Sequence, residues 1–376
     1  IVEAIAGQAA RLDYALAFQM GHPPAFTLAS RLAALAPGDL DHVFFANSGS
    51  EAVDTALKLA LGYHKLTGVS TRTRFIGRER SYHGSCFGGT SVGGIPANRN
   101  LFEPLLDVDR LPSTYLRERP SFSRGEPACG GDLADDLSCI VALDGAASIA
   151  AVIVEPMTGS AGVFASPDCY LKRLRELTEA HGILLIFDEV ITGFGRLGHA
   201  FAAERYEVVP DMICFAKAVT NGAAPLSGVL VRQEIHDAFM QGPEYVPELA
   251  HGFTYSGHPL GVAAANAALD VYADEGLFER AKELEPVFAD AVHDLKDAAH
   301  VIGIRTIGLA AGIDLAPIDG SPGLRGMRAF EAAFFDEDLV IRSVGDTLVL
   351  APSLIATEDD FAAMTTKIAR ILARLR

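Results

Sequence analysis

Three stretches of this chain carry residue types that could act together. Asp188 closes the run "ILLIFDE" (183–189), which is so apolar that both of its faces must be buried. Ligands of open α/β sheets bind at the carboxyl ends of such strands, and a buried carboxylate there needs a cationic partner. A structural salt bridge is the alternative. Lys217 closes a second apolar run, "MICFAK" (212–217). A snorkelling lysine is the ordinary reading, yet an apolar neighbourhood lowers an amine's pKa and makes it an imine-forming nucleophile. Between "HVFFAN" (42–47) and a helical face through Val53, Ala56, Leu57, Ala60 and Leu61 lies Ser48-Gly49-Ser50, at a helix N-terminus. Free N–H groups and the helix dipole favour a phosphate at such a place, with plain serine capping as the alternative. A phosphate seat, an amine for an aldehyde and a carboxylate for a pyridinium nitrogen together specify pyridoxal 5'-phosphate. Tyr82 of "SYHGS" could stack on the ring, or be an ordinary core tyrosine.

A competing reading comes from Gly193-x-Gly195-x-x-Gly198, directly after the Asp188 strand. A dinucleotide fold needs an acidic residue about 20 positions beyond such a loop. The corresponding window, "AKAVTNG", has none, and Asp188 and Glu189 precede the loop. The glycines are therefore expected to be backbone geometry only.

Positioning these groups requires a scaffold, and the sequence alternates accordingly. Short β-rich runs at 42–47, 74–79, 150–156, 183–189, 212–217 and 228–232 are separated by helical patterns, one of which, "YLKRLRELTEAHG", ends in a His-Gly stop. Near-continuous apolar strands with helical crossovers imply an α/β fold with a mostly parallel sheet flanked by helices. From about 261 two long helical stretches precede four short strands and a last helix from about 357, which reads as a smaller C-terminal α+β domain. The expected division is an N-terminal segment 1–30, a large cofactor-binding domain 31–260 and a small domain 261–376. Residues 112–138, rich in Pro, Gly and Ser, are expected to form a long surface excursion.

Composition bounds the function. The 376 residues are 49% hydrophobic and 21% charged, as in a globular enzyme. A net charge of −17 argues against nucleic acid and anionic membranes. The densest basic cluster, Arg72, Arg74, Arg78 and Arg80, reads as alternation along a strand. Cys86, Cys129, Cys139, Cys169 and Cys214 form no C-x-x-C pair, so no disulfide framework or cysteine zinc site is expected, and a reducing cytoplasm is. No metal site is expected, nor a signal peptide or an apolar run of transmembrane length.

With these features in place, the chain resembles along essentially its whole length the class III, ω-amino acid:pyruvate aminotransferases of fold type I. The motifs are "NSGSEAVDTALKLA", "GRERSYHGSCFGGTSVGGI", "AAVIVEPMTGSAGV", "LLIFDEVITGFGRLG", "PDMICFAKAVTNGAAPL", "HGFTYSGHP" and "VIRSVGDTLVLAP", in family order. The resemblance implies that Lys217 is the Schiff-base lysine and Asp188 the pyridine-nitrogen partner. It implies that Val190 packs on the ring face opposite Tyr82, that His83 lies beside it and that Glu155 lies near the ring hydroxyl. Gly49 and Ser50 match the phosphate loop. Phe253 and Thr254 match residues that reach across a dimer interface, Thr254 to the neighbouring subunit's phosphate, so a homodimer or dimer of dimers is expected. Arg342 matches a mobile arginine that grips a substrate carboxylate; without the flanking motif it would read as a surface arginine. The implied reaction is ping-pong transfer from an amino donor such as β-alanine to a keto-acid acceptor, pyruvate. Alternatives are another class III activity, such as a different acceptor, an aminomutase or a decarboxylating type, or a non-catalytic cofactor-binding relic. The family normally has several dozen residues ahead of the point where this chain begins, some lining the active-site entrance. "TYSGHP" stands where "TFGGNP" is commoner across class III, a variation pointing to the pyruvate branch.

Overall fold

A computed structural model describes residues 1–115, 121–128, 130–243 and 245–375. Seven strands form one sheet in the order His42–Ala46, Ser227–Val231, Met212–Phe215, Leu184–Asp188, Ile149–Val154, Arg74–Arg78, Val108–Leu111. All are mutually parallel except Ser227–Val231, which runs against both neighbours. Successive side chains of a strand point to opposite faces. Val152, Val154, Leu185, Phe187, Ile213 and Phe215 accordingly enter one hydrophobic core, and Ala151, Ile153, Leu184, Ile186, Met212 and Cys214 another. Both faces are thus covered, as the unbroken apolar runs require.

The helix Gly49–Leu66 starts where Ser48 caps it, its side chain accepting from the Glu51 N–H at 3.2 Å. The helix Tyr170–Ala180 ends at His181, with Gly182 at φ +60°. Helix Pro259–Asp274 buries Val262, Ala265, Ala268 and Leu269 in the first core. A separate core, built from Phe288, Ile304, Ile313, Leu348, Phe361 and Ile368 among others, underlies a second sheet. Its strands run Arg342–Val344, Thr347–Leu350, Ala310–Leu315, Val301–Ile307, Phe122–Arg124.

The expected surface excursion at 112–138 is corrected in part. Phe122–Arg124 pairs in parallel with Val301–Ile307, and Asp132–Asp144 is a helix packed on Tyr170–Ala180. Residues 116–120 and 129, with Cys129, lie outside the described residues. The basic cluster is no simple alternation either. Arg72 donates to the carbonyls of Ala146, Ile149 and His181, Arg74 pairs with Asp107, Asp109 and Asp144, and Arg78 is fully buried. Arg80 leaves the strand at φ +61° and lies over aromatic rings. Among the described residues no helix is long and apolar enough to cross a membrane, and no metal-ligating cluster occurs.

The Gly193–Gly198 loop is a packing device. A Cβ at Gly195 would stand 2.7 Å from Leu354 Cδ1, and one at Gly198 2.4 Å from Lys282 Cγ. Between them Arg196 Nη1 donates to the carbonyls of Leu309 and Pro352 at 2.8 and 2.7 Å, tying the two sheets' regions together.

Candidate active site

Five parallel strands end at Ala46, Arg78, Val154, Asp188 and Phe215, and the residues that follow them line one cavity of about 890 Å³. Gly49, Ser50, Tyr82, His83, Glu155, Asp188, Val190, Lys217 and Arg342 all reach its wall. The structure therefore brings together nine of the eleven residues singled out in the sequence. Phe253 and Thr254 are not in this wall. The Phe253 N–H donates to Ser256 Oγ at 3.2 Å, and the exposed Thr254 accepts from Tyr14 at its carbonyl.

Asp188, 6% exposed, accepts from His83 Nδ1 at 2.8 Å through Oδ2 and from the Val190 N–H at 3.2 Å through Oδ1. A carboxylate only accepts, so Nδ1 carries the hydrogen. His83 Nε2 is buried and has no partner among the described residues. Glu155 braces the same segment: its Oε1 accepts the Tyr82 N–H at 3.0 Å and its Oε2 the Gly159 N–H at 3.2 Å. Burial pushes the Glu155 carboxyl up to about 7, with nearby His83 opposing and Asp188 reinforcing the rise. Beneath it the buried Arg78 donates to the Glu155 carbonyl and to Thr158.

Lys217 opens a short 3-10 turn at φ +48°, in the left-handed region. Its side chain is open to the cavity yet crowded by protein atoms. That desolvation lowers the amine's pKa, assisted by Arg342 and opposed by Asp188 and Glu155. Its Nζ makes no hydrogen bond or ion pair with a described residue. The turn is held by the Gly222 N–H on the Lys217 carbonyl at 3.1 Å, by Thr220 on Ala224 and by the Tyr272 hydroxyl on the Ala218 carbonyl at 2.6 Å. Sequence reasoning did not find Tyr272, which sits in a distant helix with no local signal. Nor did it find Asn98, Ser160 or Ser343 in the cavity wall.

Pyridoxal 5'-phosphate suits this wall. Gly49 and Ser50 are the first residues of their helix, whose N–H groups no helical carbonyl can satisfy. A Cβ on Gly49 would lie 3.0 Å from Val190 Cγ1, and one on Gly84, at φ +101°, 2.6 Å from Ser50 Oγ, so glycine at both places lets the helix start pack closely against the cavity's other walls. The Lys217 amine, without a partner among the described residues, and the Asp188 carboxylate would supply the other two anchors.

The sequence matches the model of the family "Aminotransferase class-III" over residues 1–372. It is 54% identical to an omega-aminotransferase of Caulobacter vibrioides over 376 residues, all of this chain and 85% of that protein. It is 48% identical to a beta-alanine–pyruvate aminotransferase of Pseudomonas aeruginosa, over 96% of this chain and 81% of that one. Among solved structures, a PLP-bound amine transaminase from an uncultivated Pseudomonas species superposes with a TM-score of 0.91 at 34% identity, covering 100% of this chain and 86% of that one. An (S)-enantioselective omega-transaminase from Thermomicrobium roseum superposes with a TM-score of 0.90 at 32% identity, covering 99% and 83%.

Proposed function

The chain belongs to the class III aminotransferases, and from that membership we propose that it transfers an amino group from an ω-amino acid or amine, such as β-alanine, to pyruvate. The products are an aldehyde or ketone and alanine. The family is PLP-dependent and of fold type I, and its mixed seven-stranded sheet with a second sheet region is the architecture described above. The observation that carries the substrate reading is one cavity shared by the unpartnered Lys217 amine, Asp188, the Gly49–Ser50 turn and the Arg342 guanidinium.

When bound, pyridoxal 5'-phosphate supplies an aldehyde for the donor's nitrogen and an electron sink for the charge left when a C–H bond breaks. The chain's own residues do the rest. Gly49 and Ser50 would hold the phosphate with N–H groups at the positive end of a helix. Asp188, fixed by His83 and the Val190 N–H, would pair with the ring nitrogen and keep it protonated. Tyr82 and Val190, both in the cavity wall, would bear on opposite ring faces, and Glu155 would lie toward the ring hydroxyl. The Lys217 amine, low in pKa through burial, takes a proton from the amine-bearing carbon of the donor and returns one to the carbonyl carbon of the acceptor. Arg342, which makes no ion pair with a described residue, grips the carboxylate of pyruvate or of a short donor; its planar fork suits that bidentate contact.

The working unit in this reading is a homodimer, with Phe253 and Thr254 serving the partner's cavity. Their position outside their own cavity supports it, as do the exposed Phe18, Met20, Phe26, Leu101 and Phe102. A cytoplasmic location accords with free Cys86, Cys139, Cys169 and Cys214.

The test is spectroscopic. The visible band of the enzyme-bound cofactor should bleach with β-alanine and return with pyruvate. A band that never responds to either compound would sink the reading, and Lys217→Ala should abolish both phases.

A further inference from the structure

Past a rim formed by Ile95 and Val344, which line both spaces, the catalytic cavity adjoins a second chamber of about 300 Å³. Its walls include Arg80, Tyr115, Phe164, Asp314 and Thr347. Val344 belongs to the same strand as Arg342, so the chamber lies beside the carboxylate clamp.

Two guanidinium groups lie on one aromatic pair there. The rings of Tyr115 and Phe164 are 4.6 Å apart at their centroids; Arg305 Cζ is 4.7 Å from the Phe164 ring and Arg80 Cζ 5.0 Å from the Tyr115 ring. Their polar edges differ. Arg305 gives two nitrogens to the Asp314 carboxylate and its Nε to the Gly162 carbonyl at 2.6 Å. Thr347 donates to that same carboxylate, at 2.6 Å. The chamber's carboxylate is thereby used up. Among the described residues Arg80 makes no side-chain hydrogen bond or ion pair, and its guanidinium lies over the faces of Tyr115 and Phe164. Stacking fixes the plane of a guanidinium while leaving its N–H edge free for a carboxylate.

The backbone at Arg80 is also unusual. It stands at φ +61°, a region that a long side chain rarely adopts, with its N–H held by the Gly94 carbonyl at 3.2 Å. That turn fixes where the side chain leaves the chain, and strain of this kind collects at binding sites.

We propose that this chamber is a second carboxylate subsite, in which Arg80 takes the terminal carboxylate of straight-chain ω-amino acids too long for Arg342. Their methylenes lie across Ile95 and Val344. Short donors and pyruvate stay with Arg342. The inference rests on the reaction proposed above, and it predicts a graded preference by chain length that the Arg342 clamp alone does not.

The experiment compares the wild-type holoenzyme with Arg80→Gln and Arg80→Lys. KM is measured for β-alanine, 5-aminopentanoate, 6-aminohexanoate and uncharged hexylamine, with pyruvate as acceptor, and binding of hexanoate is measured by calorimetry. Arg80→Gln should raise KM for 6-aminohexanoate about tenfold, the worth of one partly solvated charged contact, with kcat kept. β-Alanine, hexylamine and pyruvate should be unaffected, hexanoate binding should weaken by a similar factor, and Arg80→Lys should recover part of both losses. Equal changes for all donors, or none for the long ones, would overturn the subsite while leaving the transaminase reading intact. Absence of turnover with every ω-amino acid, together with weakened hexanoate binding in Arg80→Gln, would overturn the donor assignment and keep the subsite.

Discussion

His83 and Asp188, both buried in the cavity wall, share a 2.8 Å hydrogen bond between Nδ1 and Oδ2. Removing the donor leaves a buried carboxylate with one bond fewer, which costs about 1–3 kcal/mol, more when the group is charged. His83→Ala should therefore lower both the unfolding midpoint and the rate of each half-reaction, the latter by about 10²-fold if Asp188 no longer points at the ring nitrogen. Stopped-flow absorbance and thermal unfolding read the two effects separately; a variant that only loses stability would mean that Asp188 needs no help in aiming.

Gly84→Ala is the sharpest test of the phosphate turn. The added Cβ would meet Ser50 Oγ at 2.6 Å and Ser50 Cα at 2.7 Å, in a left-handed conformation at φ +101°. Something must shift, and the nearest thing is the start of the Gly49–Leu66 helix. Cofactor affinity should fall about tenfold or more, with about 1–3 kcal/mol of stability lost to backbone strain. Equilibrium titration with pyridoxal 5'-phosphate provides the number, and unchanged affinity would move the phosphate elsewhere.

The lowered pKa of Lys217 has a kinetic signature. Burial costs the charged ammonium its water, so the neutral amine is present at lower pH than in an ordinary lysine with its value of 10.5. The rate at which the apo-protein develops the cofactor's visible band should rise with pH and level off below 10.5. A midpoint at or above the ordinary lysine value would contradict the desolvated setting.

Glu155 makes stability depend on pH with a definite sign. Folded, its carboxyl holds a proton up to about 7; unfolded, it releases it near 4.5. The folded state binds more protons between those values, so this group's contribution is full below 4.5 and declines as pH rises through 7. Glu155→Gln cannot ionise. The stability of the wild-type apo-protein relative to that variant should fall by an amount on the order of 3 kcal/mol from pH 4.5 to 8, at 1.36 kcal/mol per pKa unit. Urea unfolding at several pH values checks it, and a flat difference refutes the buried titration.

Much of this was written in strand ends. Asp188, Lys217 and the Ser48-Gly49-Ser50 turn stand where apolar runs stop, and one chemical requirement joined them before any geometry was known. What the chain pattern could not give depends on contacts across sequence. Val108–Leu111 joins the large sheet as a half-buried edge with too few apolar residues to stand out, and the three residues Phe122–Arg124 are too short to read. The reversed direction of Ser227–Val231 leaves no trace, because an alternating strand looks the same from either end. Helix Leu324–Glu337 hid its register by exposing Phe330, Phe334 and Phe335. Tyr272 and Arg80 acquire significance only from Ala218 and from Tyr115, each far away along the chain.

Lys217 stands between Phe215 and Val219 of the first core, whereas Arg342 lies between Ile341 and Leu348 of the second. The strand ends that set the proton-handling amine thus pack mainly in the first core and the hairpin that carries the guanidinium mainly in the second, with Val349, opposite Arg342, touching the first. A substitution at Ile341 or Leu348 therefore reaches the arginine more directly than the amine. Such a division places the substitutions most suited to altering selectivity on the hairpin Arg342–Leu350, and those most damaging to the proton transfer at the strand ends.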